Sequence, residues 1–479
     1  MSKRLNLVLI TVDQMRGDCL GVAGHPVVET PNLDHLASTG VRFSRAYSAT
    51  PTCIAARASI LTGLKQEHHG RVGYQDGVPW HYPITLPGEL ARAGYHTQGI
   101  GKMHFHPPRS LQGFHNVVLH DGYLHYYRRS ERGRSSDDYI AWLREKAGPD
   151  VDYAEHGIDC NSWMARPWHL PERLHPTNWV VHESIRFLQR RDPDKPFFLW
   201  MSFVRPHAPL DPPEYYLNMY LQRDLPLPPI GDWVAADVPQ NPGLPTDAGI
   251  GQLREHELRR LLAGYYGCIT HIDHQIGRFL KGLYENNVLD NTLILFTSDH
   301  GELLGDHHLF RKSLPYEGSA RIPMILHLPR SYSPRRAGVY DVPVELRDIL
   351  PTMLEAAECT IPPSVDGMSF LSYARGETPK WRDYIHGEHA HGGASNHWLT
   401  DGKEKYIWFS QTGREQLFDL RSDPLELHDL VQCTDAKPRL EHWRRIMVQE
   451  LQHRPEGYVQ NGSLVTGRPV SALIPGIFK

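Results

Sequence analysis

Four apolar segments, each followed at once by polar or charged residues, constrain the fold of this chain most strongly. The first, from Leu5 to Val12, is mostly aliphatic, as is typical of a strand buried in a parallel sheet, and it ends in Asp13 and Gln14. The other three segments end in Lys102-Met103-His104, in His207 and in Asp299-His300. Ligands of open parallel sheets bind at the carboxyl ends of the strands. The pattern therefore predicts that these polar side chains meet at one edge of a sheet.

Helical segments alternate with these strands, and the alternation predicts the α/β class. We expect residues 1–375 to form a large, mostly parallel sheet sandwiched by helices. Residues 376–479 carry short strands, an Asp401-Gly402 turn and a final helix, and they predict a smaller α+β domain with an extended tail. The segment from Phe105 to about Pro176 is rich in proline, histidine and aromatic residues. We interpret it as an insertion over the site rather than as core.

Composition excludes several classes of partner. The 51 Lys and Arg residues nearly balance the 55 Asp and Glu residues, so the charge favours neither nucleic acid nor an anionic membrane. No apolar run approaches the ~20 residues of a membrane span. Six cysteines are scattered without metal-ligand spacing or a disulfide framework. A reducing compartment is the simpler interpretation, and we predict a cytoplasmic protein.

A short helix is predicted to begin near Cys53 and to end at Gly63. Cys53 and Arg57 are four residues apart and therefore share one face of this helix. The helix N-terminus adds free backbone N–H groups and positive dipole density beside them. This end of the helix is therefore suited to binding an anion. The alternative to an anion site is that Cys53 is a small buried residue and Arg57 a surface arginine.

The pattern C-x-A-x-R-x-x-x-x-T-G over Cys53 to Gly63 resembles the signature of the type I, formylglycine-dependent sulfatases of the alkaline phosphatase superfamily. The resemblance implies that a maturation enzyme oxidises Cys53 to formylglycine, whose hydrated aldehyde is the nucleophile. Ala55 stands where the commoner signature has proline. The maturation enzyme and the extent of conversion therefore stay open.

The resemblance also implies a metal site formed by Asp13, Gln14, Asp299 and His300 together with position 53. Carboxylate and amide oxygens suit a hard divalent ion, so we expect Ca²⁺, with Mg²⁺ or Mn²⁺ as alternatives. Gln14 and His300 differ from the residues that sulfatases commonly have there. They are similar to those of the phosphonate monoester hydrolases in the same superfamily.

Sulfatases and phosphonate monoester hydrolases differ in their cationic residues. Gly101-Lys102-Met103-His104 resembles the G-K-x-H motif of sulfatases, His207 resembles their H-x-P histidine, and Lys312 resembles their distal lysine. The implied roles are sulfate binding by Arg57, Lys102 and Lys312, proton donation to the leaving alcohol by His207, and base catalysis by His104.

The leading interpretation is a metal-dependent hydrolase of sulfate monoesters, a sulfatase. A phosphonate monoester hydrolase or phosphodiesterase is the first alternative, favoured by Gln14 and His300 and opposed by Lys102 and Lys312. A metal-binding protein whose cysteine is never converted is the second. Sugars, aryl alcohols and choline all remain candidate leaving groups.

Two further predictions concern the smaller domain. The segment from Gly387 to His397 resembles a loop that reaches the site in relatives, and we predict that His389, His391 or Asn396 contacts the leaving group. The tail after Gly462 contains apolar residues that must dock on its own domain or on a neighbouring subunit. We favour a homo-oligomer.

Overall fold

A computed structural model describes residues 4–124 and 137–478 of the chain. Eight strands form one large sheet. They are β1 (Asn6–Asp13), β2 (Val41–Tyr47), β3 (His96–Gly101), β4 (Asn116–Leu119), β5 (Phe197–Pro206), β6 (Thr292–Ser298), β7 (Met324–His327) and β8 (Gly338–Glu345). Their spatial order is β4-β3-β5-β1-β6-β7-β2-β8. Only β7 pairs antiparallel with its neighbours among these described strands. The mostly parallel sheet is confirmed.

Helices cover both faces of the sheet. They are α1 (Pro31–Thr39), α2 (Cys53–Thr62), α3 (Gln66–His69), α4 (Leu86–Arg92), α5 (Asp138–Ala147), α6 (Pro176–Arg190), α7 (Glu214–Leu221), α8 (Glu255–Glu285), α9 (Glu317–Ala320), α10 (Ile349–Ala356) and α11 (Leu371–Ala374). Strand β1 shows why a layer of helices is needed on each face of the sheet, because its successive side chains point to opposite faces. Val8 and Ile10 belong to the core on one side, whereas Leu7 and Leu9 belong to the core on the other.

A second, antiparallel sheet forms the smaller domain. Its strands are β9 (Ile385–His391), β10 (Ala394–Thr400), β11 (Glu404–Phe409) and β12 (Glu415–Asp419), in the order β12-β11-β10-β9. Helix α12 (Lys437–Leu451) packs on one face through Trp443 and Met447. The other face packs on the large domain, where Trp398 meets Tyr47 with ring centroids 5.9 Å apart. Two short strands, β13 (Val459–Gln460) and β14 (Ser463–Leu464), follow.

Two segments differ from the sequence-based expectation. The insertion after Phe105 is partly core, because β4 extends the sheet and Tyr139 of α5 is fully buried against it; residues 125–136 of this insertion lie outside the described part of the chain. The segment from Gly387 to His397 is not a loop but most of the β9–β10 hairpin. Two of its three glycines, Gly392 and Gly393, have positive φ and form the turn. A two-residue turn of this kind suits the twist of the flanking strands.

The C-terminal tail binds its own chain. Val72 donates its backbone N–H to Ala472 at 2.9 Å, and Ile474 donates to Gly70 at 2.9 Å. The segment around Val72 in turn accepts a hydrogen bond from Ala390 of β9 at 2.8 Å. The tail therefore adds a strand-like segment beside the small sheet. This contact buries the side chain of Ile474.

Within the described residues, we find no helix whose length and apolar character would let it cross a membrane.

A buried lysine joins the two domains. Lys405 of β11 donates from Nζ to Pro315 O at 2.7 Å and forms ion pairs with Glu426 at 2.9 Å and with Glu317 at 2.8 Å. Its side chain has no exposed surface, and Glu317 lies five residues after Lys312. The contact therefore anchors the segment that carries Lys312 to the small sheet.

Replacing Lys405 by Met should lower the free energy of unfolding by about 3–5 kcal/mol, because two buried carboxylates lose their cation. Lys281→Met is the matched control. Lys281 pairs with Glu285 on the surface with 73% of its side chain exposed, and such pairs contribute ~0–1 kcal/mol. Denaturant titration measures the free energy of unfolding of both variants. Equal losses in the two variants would contradict the assignment of Lys405 as the anchor.

Candidate active site

The polar strand ends meet as the sequence predicts. Strands β3, β5, β1 and β6 are consecutive in the sheet and parallel, so their carboxyl ends form one continuous edge. Cys53, at the start of α2, lies over this edge. Its Sγ is 3.2 Å from His300 Nε2, 3.4 Å from Lys312 Nζ, 3.7 Å from Asp13 Oδ1 and 3.9 Å from Lys102 Nζ. Cys53 is therefore the centre of the cluster.

Helix α2 is buried along its whole length and ends at Gly63, which adopts a left-handed conformation. The cap residue Thr52 makes no side-chain bond to the helix N-terminus. The first N–H groups of the helix are therefore not capped by that side chain, and the helix dipole favours an anion beside Cys53.

Arg57 lies one turn further along α2 and is completely buried. Its Nε donates to Asp299 Oδ2 at 3.0 Å, and its Nη1 donates to Lys102 O at 2.6 Å and to Ser202 Oγ at 3.0 Å. These contacts tie the ends of β3, β5 and β6 to the helix that carries Cys53. Arg57 thus orients the other site residues.

Asp13, Asp299, His300 and Cys53 are buried and close enough to hold one metal ion. His300 Nε2 is 3.4 Å from Asp13 Oδ1 and 3.6 Å from Asp299 Oδ1. The other ring nitrogen, Nδ1, lies 2.9 Å from Gly301 O. A proton on Nδ1 bonds that carbonyl and leaves the Nε2 lone pair directed at the carboxylates. The donor set fits a divalent cation.

Gln14, the other expected metal ligand, lies beside Asp299. Its backbone has a left-handed φ of 73°, and its N–H donates to Asp299 Oδ1 at 3.2 Å. Its side-chain Oε1 accepts from Lys312 Nζ at 2.9 Å. The amide oxygen is therefore held by the same amine that lies 3.4 Å from Cys53 Sγ.

Three cationic side chains lie close to Cys53. Arg57, Lys102 and Lys312 face two carboxylates, and Lys102 Nζ forms an ion pair with Asp13. Burial by itself raises the pKa of the Asp13 carboxyl, but Lys102 and the neighbouring cations hold that pKa well below its usual value. Burial and Asp13 likewise raise the pKa of the Cys53 thiol, yet the two lysines and His300 lower it overall. The site is built for an anion.

The two predicted proton-transfer histidines lie at the cavity wall. His207 Nδ1 lies 2.8 Å from Ala208 O, and burial together with Lys312 lowers the pKa of His207 well below its usual value. In this state, with a proton on Nδ1, its Nε2 is a hydrogen-bond acceptor. His104 has a left-handed φ of 60° and donates its backbone N–H to Asp121 Oδ1 at 2.8 Å.

A cavity of about 690 Å³ opens above Cys53. Lys102, His104, His207 and Lys312 line the end near Cys53. Among the described residues, the remaining wall combines apolar and aromatic side chains, from Tyr74, Tyr123, Leu124, Val204, Phe310 and Leu314, with polar ones from Asp121, Asn161, Arg311 and Ser313. The cavity can therefore take a sulfate-sized anion at its base and an apolar group above it.

The hairpin residues occupy different positions. His391 lines the cavity. His389 is buried, and burial together with His391, His300 and Lys312 lowers its pKa to about 3. Asn396 donates to Ser313 O at 3.1 Å, next to Lys312. Neither His389 nor Asn396 is among the described residues that line the cavity.

Sequence reasoning assigned no role to three residues that hold these groups in place. Asp121 Oδ1 accepts the backbone N–H groups of Met103 and His104. Ser202 binds Arg57. Glu302 binds Gln14, and its position two residues after His300 is the one signal of it in the sequence.

Family models and known proteins agree with this geometry. The model "Sulfatase" matches residues 5–359, and the model "N-sulphoglucosamine sulphohydrolase, C-terminal" matches residues 305–453. An arylsulfatase of Clostridium perfringens is 54% identical over 474 residues, which cover 98% of this chain and 98% of that protein.

Solved structures show the same fold. The phosphonate monoester hydrolase of Agrobacterium radiobacter superimposes with a TM-score of 0.78 at 25% identity, over 97% of this chain and 100% of that chain. A second solved protein, which is bound to its substrate D-glucosamine-2-N,6-O-disulfate, superimposes with a TM-score of 0.75 at 20% identity. The match covers 94% of this chain and 98% of that chain. The chain belongs to the sulfatase family of the alkaline phosphatase superfamily, and it is an enzyme that hydrolyses sulfate esters.

Proposed function

We propose that this sulfatase attacks its substrate with a formylglycine made from Cys53. The observation that carries the proposal is the position of the Cys53 Sγ, 3.2–3.9 Å from His300, Lys312, Asp13 and Lys102 at a helix N-terminus. The hydrated aldehyde would carry two hydroxyl groups on one carbon. One attacks sulfur, and the other, once deprotonated, expels sulfate as the aldehyde re-forms. The conversion of cysteine is an oxidation, so a formylglycine-generating enzyme is the implied partner.

The cofactor we propose is one divalent cation held by Asp13, Gln14, Asp299 and His300, beside position 53. Three of these four side chains offer oxygen, which favours Ca²⁺ and leaves Mg²⁺ or Mn²⁺ as alternatives. When bound, such an ion lowers the pKa of a neighbouring hydroxyl and opposes the charge of the sulfate.

The protein's own groups divide the remaining work. Lys102 and Lys312 bind the sulfate oxygens as negative charge shifts to them in the transition state. Arg57 acts one layer below by orienting Asp299 and the Lys102 backbone. His207 protonates the leaving oxygen, with the proton taken up when the anionic ester binds beside it. His104 is the proposed base for the second hydroxyl.

An aryl sulfate is the substrate class that the cavity favours. The wall above Cys53 includes Tyr74, Tyr123, Phe310 and Leu314, and the 54% identical relative is named an arylsulfatase. A carbohydrate sulfate is the alternative, since a structural neighbour binds a sulfated glucosamine. His391 lies where it can contact either leaving group; contacts from His389 and Asn396 stay proposals.

Phosphonate ester hydrolysis is the second candidate activity. Gln14 and His300 favour it, as does the structural likeness to a phosphonate monoester hydrolase. Lys102 and Lys312 oppose it, because both amines lie within 4 Å of Cys53 Sγ and form the sulfate-binding pair.

A cytoplasmic location is supported by the six cysteines, which all lie in the described residues and form no disulfide with one another. The homo-oligomer predicted from the tail stays a prediction. The tail already binds its own chain through Ala472 and Ile474.

Mass spectrometry of the tryptic peptide carrying Cys53 should show a mass about 18 Da below that of the thiol form. Cys53→Ala should remain folded and lose turnover, because only the nucleophile is removed. Cys433→Ala, at an exposed cysteine, is the matched control and should keep full activity. A fully active preparation with an unmodified thiol would refute the formylglycine proposal.

Replacing Lys102 or Lys312 by Ala should each lower the rate of 4-nitrophenyl sulfate hydrolysis on the order of 10²-fold, as the loss of one charge-stabilising donor does. A phenylphosphonate ester tested in parallel should be affected less. Lys281→Ala controls for a lost surface charge. If both substrates are hydrolysed at the wild-type rate by the variants, the lysines do not bind the transferred group.

Replacing His207 by Ala should slow esters with poor leaving groups far more than esters with good ones. General acid catalysis contributes roughly 10²–10⁴-fold when the leaving oxygen needs a proton. The variant should therefore hydrolyse phenyl sulfate much more slowly than the wild type does, whereas its rate with 4-nitrophenyl sulfate should fall little. Measured kcat values for a series of substituted phenyl sulfates test this. An equal loss across the series would remove His207 as the proton donor.

A further inference from the structure

Glu302 is a buried carboxylate that lies two residues after His300 and behind the proposed metal ligands. Only 7% of the residue is exposed. Its Oε1 accepts backbone N–H groups from Leu304, at 2.9 Å, and from Arg311. Its Oε2 accepts from the side-chain Nε2 of Gln14. One carboxylate thus receives three N–H donors from three parts of the chain.

Gln14 depends on this contact for the direction of its amide. Its backbone is fixed independently, because its N–H bonds Asp299 Oδ1 at 3.2 Å and its carbonyl accepts from Tyr265 at 2.6 Å. The side-chain amide has an acceptor end and a donor end. Glu302 can only accept, so the NH₂ group must point to Glu302 and Oε1 must point into the site.

Lys312 depends on the same carboxylate through its neighbour. Arg311 donates its backbone N–H to Glu302, and Lys312 follows it directly. Lys312 Nζ then donates to Gln14 Oε1 at 2.9 Å and lies 3.4 Å from Cys53 Sγ. Glu302 therefore closes a ring of contacts through Gln14, Lys312 and Arg311.

We propose that Glu302 is a positioning residue that orients the Gln14 amide oxygen toward the metal cluster and places Lys312 beside it. The inference rests on the metal site of the proposed function. It predicts that metal affinity depends on hydrogen-bond complementarity between positions 14 and 302, and not on the charge of Glu302 alone. Outer partners of metal ligands typically contribute 10- to 100-fold to affinity.

Glu302→Gln tests the proposal with almost no change in shape. A glutamine has one acceptor end, so it can accept from Gln14 or from the Leu304 and Arg311 N–H groups, but not from both. We expect E302Q to bind Ca²⁺ at least tenfold more weakly than wild type. Isothermal titration of Ca²⁺ into metal-free protein measures this without any turnover.

The reciprocal double variant Q14E/E302Q should restore binding. In it, the amide NH₂ at position 302 can donate to the carboxylate at position 14, while the amide oxygen accepts from the Leu304 and Arg311 N–H groups. The single variant Q14E sets two carboxylates against each other and should bind no better than wild type. Such a double-mutant cycle isolates the coupling between the two positions. Glu285→Gln, at a largely exposed glutamate, is the control and should bind as wild type.

Three results would overturn the proposal. E302Q could bind Ca²⁺ as tightly as wild type, the double variant could bind more weakly than E302Q, or Q14E could bind more tightly than the double variant. If E302Q does not fold, the comparison of Q14E with the double variant still decides, because the latter has every hydrogen bond satisfied. Melting of the metal-free proteins shows whether a variant has lost its fold instead.

Asp299→Asn separates this inference from the proposed function. Asp299 is a proposed ligand, so its loss should abolish most Ca²⁺ binding. Wild-type protein that binds neither Ca²⁺, Mg²⁺ nor Mn²⁺, or an Asp299→Asn protein with unchanged affinity, overturns the metal site and the inference together. Wild-type binding that is lost in Asp299→Asn but unchanged in E302Q overturns the positioning role alone.

Discussion

The site depends on the burial of two carboxylates, Asp13 and Asp299, at the ends of the neighbouring strands β1 and β6. Both are completely shielded from solvent, and burying a charge without a partner costs several kcal/mol. Arg57 and Lys102 supply the compensating charge. Arg57 lies on the helix that begins with Cys53, so the ion pair that stabilises the carboxylates also fixes Cys53 over them. Stability and catalytic geometry rest on the same contacts.

The small domain contributes to the site by holding the segment that carries Lys312. Asn396 donates to Ser313 O at 3.1 Å, Lys405 donates to Pro315 O at 2.7 Å, and Tyr316 donates to Gln416 at 2.7 Å. These bonds attach the residues that follow Lys312 to strands β10, β11 and β12. Lys312 is thus held in place before any ligand binds. The antiparallel sheet therefore helps to shape the site even where its side chains do not reach the cavity.

Residues that resemble those of two groups of relatives lie side by side in this site. Gln14 and His300 are similar to the metal ligands of phosphonate hydrolases, whereas Lys102 and Lys312 resemble the cations of sulfatases. The structure shows that the two sets are physically linked, since Lys312 donates to the Gln14 oxygen. A change at either position alters the surroundings of the other.

The sequence alone determined the class of the fold, the edge of the sheet where the site lies and the cysteine at its centre. Strand β1 and Asp13 could be predicted because apolar runs and the residues that end them are local features. The tertiary structure decided which groups meet. Gln14 and Glu302 are 288 positions apart, and the helix pattern around Arg57 could not show that this side chain donates to Asp299 and Ser202. The β9–β10 hairpin and the buried part of the insertion also escaped prediction. Local pattern shows that a side chain is buried, but the pairing of strands and the packing of loops decide what it is buried against.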